Sequence, residues 1–251
     1  MLPVYSVTYV TGSNHSFSSP PLGEITERES RVRKAFFRSL LGRLAMSTEL
    51  NRKEQRLEAD GLSIGYFEAG NGNPTIVFPA KDGDLNDPLL RKLAESHRII
   101  ALNLSSSNSA AANQLAEKLP GALTSLGIEQ YSVMGISAGA GPALALAIAA
   151  PERIDKLILL SPLLSEGAEL LDLAEVKAAT LVLVGTRDTS GAIEAGRLCR
   201  ERIRSCHLSF VYGAGHALAA DRLEACLDSI VQFLEQGEQF IIFRESQVIR
   251  P

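Results

Sequence analysis

One serine lies between two segments that cannot be the same kind of structure. Tyr131–Met134 is a short apolar run of strand formers, as a buried strand requires. Gly141–Ala150 (GPALALAIAA) is dominated by alanine and leucine and reads as a buried helix. Gly135-Ile136-Ser137-Ala138-Gly139 joins them, so strand and helix must meet at a tight corner. A serine in Gly-x-Ser-x-Gly at such a corner has a strained backbone and an outward hydroxyl, and its small neighbours let strand and helix pack closely.

The chain has 251 residues, a length suited to one large α/β domain with a substantial core. Its 45% hydrophobic and 22% charged residues are those of a soluble globule. A net charge of -4, with no basic run in the central region, argues against nucleic acid as a partner. No apolar run reaches the length of a membrane span. Cys199, Cys206 and Cys226 are odd in number and lack metal spacing. They read as reduced, buried thiols, and a cytoplasmic location is expected.

Residues 1–54 differ in character from 55–251, which are expected to form the folded domain. Met1–Pro21 is rich in Ser, Thr, Asn and Pro and reads as mostly disordered. Residues 31–45 follow as a basic amphipathic helix, with Val32, Phe36, Leu40 and Leu44 on one face and Arg31, Arg33, Lys34, Arg38 and Arg43 around it. Such a helix suits weak association with a membrane surface, an organelle-targeting segment or a cover for an apolar cleft. Glu24, Glu27 and Glu29 just upstream weaken the targeting reading. A plainer alternative makes Met46 the true start.

From Glu54 onward strands and helices alternate. Arg56–Ala59 and Leu62–Glu68 are expected as an edge hairpin turning at Asp60-Gly61. Strands are then expected at Thr75–Phe78, Arg98–Leu102, Tyr131–Met134, Leu157–Leu160, Thr180–Val184 and His207–Tyr212. Helices are expected at Leu85–Ser96, Ala110–Leu126, Gly141–Ala150, Leu170–Glu175, Ala192–Ile203 and Leu218–Glu235. The tail Gln239–Ile249 is expected to add an edge strand. This alternation implies a mostly parallel, twisted sheet with helices on both faces. The site should lie on loops at the carboxyl ends of the strands.

Three chemically apt residues fall on such loops: Ser137, Asp188 in Gly185-Thr-Arg-Asp188, and His216 in Gly213-Ala-Gly-His216. A serine hydroxyl needs a base to take its proton. Histidine titrates in the right range, and a buried carboxylate selects its useful tautomer. In a parallel sheet all three emerge at one edge. His15, His97 and His207 lack the strand-end glycine context, and Glu166 rivals Asp188 for the acid role.

Residues about 55–236 resemble the α/β-hydrolase superfamily. The resemblance rests on the serine corner, Pro151-Glu-Arg153, Leu157-Ile-Leu-Leu160, Leu181-Val-Leu-Val-Gly-Thr-Arg-Asp188 and Gly213-Ala-Gly-His216. It implies Ser137 as nucleophile, Asp188 as orienting acid and His216 as general base, in that superfamily's chain order. It also implies oxyanion donors from the backbone of Ala138 and of Lys81 or Ala80. Pro79-Ala80-Lys81 replaces the His-Gly of many members, and Asn103–Asn108 replaces their Asp-x-Arg-Gly-x-Gly loop. About twenty residues separate Leu160 from Thr180, too few for the inserted cap of lidded members, so an open pocket without a cap domain is expected.

The expected function is hydrolysis of a small acyl substrate (a carboxylic ester, thioester or lactone) through an acyl-enzyme, with no metal or organic cofactor. Two alternatives are a non-catalytic binding protein on the same fold and a triad enzyme of other chemistry: a C–C hydrolase, a lyase or a cofactor-free peroxidase. The spacing Gly135, Gly139, Gly141 also fits short-chain dehydrogenases, but several strands precede it and no tyrosine is followed by lysine four positions later. No Gly-Lys-Ser/Thr follows the glycines, which excludes a P-loop.

Overall fold

The computed structural model describes residues 8–10, 51–80, 87–106, 112–164 and 171–243. The basic helix expected at 31–45, Lys81 and Glu166 lie outside them. The strands are β1 (Thr8–Val10), β2 (Asn51–Ala59), β3 (Leu62–Ala69), β4 (Pro74–Phe78) and β5 (Arg98–Asn103), then β6 (Tyr131–Ile136), β7 (Ile154–Leu160), β8 (Ala179–Gly185) and β9 (Cys206–Val211). Among them run the helices α1 (Pro88–Leu93), α2 (Ala112–Ser125), α3 (Ala140–Ala149), α4 (Ala192–Arg202), α5 (Leu218–Gln236) and α6 (Glu238–Phe243).

The nine strands form one sheet in the order β1-β9-β8-β7-β6-β4-β5-β3-β2. Only the β2–β3 and β3–β5 pairs are antiparallel. The hairpin turns where expected: Asp60 (φ 51°) and Gly61 (φ 75°) both adopt left-handed backbone, the turn geometry whose twist matches its flanking strands. β8 is buried over all seven residues, because helices cover both faces of the sheet. Val182 and Val184 face the layer holding Leu115 and Leu119 of α2, Leu144 of α3 and Cys199 of α4. Leu181 and Leu183 face the opposite layer, with Leu89 and Leu93 of α1 and Ile230 and Phe233 of α5.

The tail departs from expectation. Glu238–Phe243 is a helix, not an edge strand. Gly237 (φ 56°) reverses the chain after α5, and the buried Phe240 meets Phe233 and His207 edge-on, with ring centroids 5.6 and 5.7 Å away. A short apolar run suits either structure, and here packing onto α5 decides it. The sheet edge beside β9 is instead taken by Thr8–Val10, paired in parallel with Ser209–Val211, within the segment whose composition reads as disordered. Of the short helix expected at Leu170–Glu175, the described residues form a 3₁₀ turn at Leu173–Glu175, capped by Asp172.

Cys199, Cys206 and Cys226 are free and buried. Burial pushes the Cys199 and Cys226 thiols up to about 12, far from reactive thiolates. Among the described residues, no helix is long and apolar enough to cross a membrane.

Candidate active site

The corner after β6 is built by what its glycines leave out. A Cβ on Gly135 would lie 2.7 Å from Cα of Ala140 and 2.8 Å from Cβ of Ala143, so strand and helix meet there only without a side chain. A Cβ on Gly139 would lie 2.1 Å from the carbonyl oxygen of Phe78, the last residue of β4. That contact, with the Pro79 carbonyl oxygen at 3.0 Å, brings the end of β4 up to the serine turn. Ser137 itself takes left-handed backbone (φ 53°), which strains a residue bearing a Cβ. Its carbonyl is held twice, by the N–H groups of Ala140 and, at 3.0 Å, of Leu163.

Asp188 and His216 are brought together by two loops bound to each other. The Thr186 N–H donates to Val211 O (3.1 Å), Arg187 N–H to Ala214 O (2.8 Å), and Gly213 N–H to Thr186 Oγ1 (2.9 Å). The Arg187 guanidinium donates to the Gly213 carbonyl. Gly185 permits this approach, since a Cβ there would lie 2.3 Å from the carbonyl oxygens of Ala214 and Gly215. The next turn is held from α5, where the Asp221 carboxylate accepts the Gly215 N–H at 2.7 Å. Asp221 precedes a break in the helix at Arg222 (φ -148°).

Ser137 Oγ lies 2.8 Å from Nε2 of His216, and Nδ1 of His216 lies 2.9 Å from Oδ2 of Asp188. An ionised carboxylate only accepts, so Nδ1 carries the ring proton and Nε2 is left to accept the Ser137 hydroxyl proton. The Asp188 side chain is fully buried, whereas that of His216 is 36% exposed. Burial alone would push the Asp188 carboxyl up. Hydrogen bonds from the Ser190 hydroxyl and N–H, and from His216, outweigh it and hold the group below the usual carboxylate range.

The three side chains singled out from the sequence therefore form one hydrogen-bonded line at the carboxyl edge of the sheet. Ala138, next to Ser137 in the chain, and Ala80 are both exposed. His97 precedes β5, and His207 is buried beside Phe240, both away from this line. Ser190 was not anticipated. Its N–H and hydroxyl donate to Oδ1 of Asp188 at 2.8 and 2.6 Å, and its oxygen lies 2.9 Å from Nδ1 of His216. The available signal was its place two residues after the acid, where an Asp side chain commonly accepts a backbone N–H.

Comparison with known proteins agrees with this architecture. The dihydrolipoyllysine-residue acetyltransferase component of an acetoin cleaving system from Cupriavidus necator is 34% identical over 118 residues, 43% of this chain and 32% of that protein. The chain thus spans about a third of that relative's length. A predicted CIB-like hydrolase from Thermoplasma acidophilum superposes with a TM-score of 0.60 at 19% identity, covering 72% of this chain and 97% of its own. An enol-lactonase from Burkholderia xenovorans superposes with a TM-score of 0.61 at 17% identity, covering 72% and 100%. A family model described as alpha/beta hydrolase fold matches residues 71–197, about half of the sequence. With its strand order and serine corner as described, the chain belongs to the alpha/beta hydrolase fold family.

Proposed function

We propose that this protein is a serine hydrolase that cleaves a carboxylic ester, thioester or lactone through an acyl-enzyme on Ser137. The observation that carries the reading is the line of contacts from Ser137 through His216 to Asp188, at 2.8 and 2.9 Å. Ser137 Oγ attacks the carbonyl carbon as Nε2 of His216 takes its proton. Buried Asp188 stabilises the imidazolium that forms. Backbone N–H groups of Ala138 and of Ala80 or Lys81 donate to the tetrahedral oxyanion; losing one such donor lowers turnover by ~100- to 1000-fold. The imidazolium returns its proton to the leaving alcohol or thiol, and water then releases the acid by the same route. The substrate is a small acyl compound, and the chemistry of these residues calls for no cofactor.

A fluorophosphonate probe tests the nucleophile. Labelling of the full chain that vanishes in Ser137→Ala supports the reading. Absence of labelling in the wild-type protein would instead favour a binding protein on this fold. Turnover of short-chain nitrophenyl esters and lactones, lost in both Ser137→Ala and His216→Ala, supports acyl chemistry. Labelling without turnover of any of them points to the C–C hydrolase, lyase or peroxidase alternatives.

A further inference from the structure

We infer that Ser190 is a positioning residue of this site: its hydroxyl fixes the Asp188 carboxylate and, having no proton to spare for the ring, holds His216 with its proton on Nδ1. The inference rests on the hydrolase reading only for its kinetic consequence. The geometry behind it is a proton count. Ser190 has one hydroxyl proton, and the 2.6 Å contact with Oδ1 of Asp188 takes it, a length typical of a charge-assisted O–H···O⁻ bond. Toward Nδ1, 2.9 Å away, the same oxygen can then only accept. Nδ1 therefore meets two acceptors, Oδ2 of Asp188 and Oγ of Ser190, and the tautomer with a bare Nδ1 has no donor to satisfy it. Each carboxylate oxygen has its own duty: Oδ2 receives the ring, and Oδ1 receives Ser190 twice.

Two functions of Ser190 can be separated. Its N–H closes the turn on Oδ1, as the residue two after an aspartate often does. That bond survives any side-chain change except proline. The hydroxyl adds a second anchor on Oδ1 and the second acceptor for the ring. Ser190→Ala therefore keeps the turn and removes only the relay contacts, while Ser190→Thr keeps a hydroxyl. The groups that bear on the Asp188 charge are Ser190 and His216, and the neighbouring Arg187 spends its guanidinium on the Gly213 carbonyl.

The test uses full-length wild type, Ser190→Ala and Ser190→Thr, with two readouts. The first is the rate of fluorophosphonate labelling at Ser137. The second is the pH titration of the Asp188 carboxyl, followed by carbon-13 NMR. Loss of a hydrogen bond to a charged group predicts labelling roughly 10- to 100-fold slower in Ser190→Ala, with most of the rate restored in Ser190→Thr. The Asp188 midpoint should move up toward the ordinary carboxylate range in Ser190→Ala and return in Ser190→Thr. Where wild-type Ser137 takes the label, a Ser190→Ala protein that matches wild type in either readout overturns the inference. If wild-type Ser137 takes no label, the hydrolase reading falls, and the Asp188 midpoint alone then decides on Ser190: movement supports it, constancy overturns it.

Discussion

Two neighbouring strands end in the same unusual way and put that ending to different uses. Ser137 after β6 and Ser161 after β7 are both non-glycine residues in left-handed backbone, at φ 53° and 41°. Ser137 is half-buried, and its hydroxyl meets His216 at 2.8 Å. Ser161 is 2% exposed, and its hydroxyl has no hydrogen-bond partner among the described residues. Its strain has another use. The Ser161 N–H is tied to Leu183 O at 2.8 Å, and the chain then passes through Pro162 so that the Leu163 N–H reaches Ser137 O at 3.0 Å. One strained serine presents its hydroxyl to an imidazole; the turn after the other holds the carbonyl of the first through Leu163. Strain at a strand end therefore does not by itself bring a serine hydroxyl to an imidazole. Access and a facing ring do.

The strongest way to break this contrast is to remove what orients the proposed base, His216, without touching either serine. Asp188→Asn leaves the shape of the site and takes away the charge that holds the Nδ1 proton. By analogy with the same change in other Ser-His-Asp sites, turnover should fall by about 10⁴-fold. Steady-state ester hydrolysis at neutral pH measures it, with circular dichroism to confirm the fold. A fall of less than about tenfold would mean that the line of contacts is not the working relay.

The next effect concerns the corner that carries Ser137. Gly139→Ala should destabilise the protein by about 3 kcal/mol or more, because its Cβ would strike the Phe78 carbonyl at 2.1 Å, and backbone cannot swing aside as a side-chain tip can. Two residues on, Gly141 lies inside α3, and a Cβ there would meet nothing within 4 Å. Gly141→Ala should stabilise by roughly 0.5–1 kcal/mol through helix propensity. Urea unfolding of both variants checks the pair. Equal effects would mean that the close approach of β4 to the turn is not what the second motif glycine serves.

These contrasts also show how far the residue order alone could be read. The hairpin at Asp60-Gly61, the wholly buried β8 and the serine corner were legible because each is a local pattern with one physical solution. The alignment of Ser137, Asp188 and His216 followed from placing each at the carboxyl end of a parallel strand. Ser161 was invisible, since nothing in Leu-Leu-Ser-Pro announces a left-handed backbone; its turn is set by backbone hydrogen bonds to Leu183 of β8 and to Ser137. Ser190 was likewise missed because its partners lie on another loop as well as its own. The apolar tail around Phe240 carried no period strong enough to separate strand from helix, and contact with Phe233 and His207 settled it.

The last contrast sharpens the comparison most. Replacing Ser161 by glycine removes two unfavourable features together: left-handed backbone on a residue with a Cβ, costing about 1–2 kcal/mol, and a buried hydroxyl without a partner, costing about 1–3 kcal/mol. Against these stands the added freedom of glycine in the unfolded chain, about 0.4–1 kcal/mol, and the lost packing of one small side chain. Ser161→Gly should therefore come out more stable by about 1 kcal/mol, read as a higher urea midpoint with an unchanged slope. Ser137→Gly relieves the same kind of backbone strain and should also gain stability, yet it should lose turnover and probe labelling altogether. Ser161→Gly should keep both, provided the Leu163 N–H still reaches the Ser137 carbonyl. If it gains stability but loses labelling, the strained turn after β7 is a working part of the nucleophile's support, and its strain is retained for activity at the expense of fold stability.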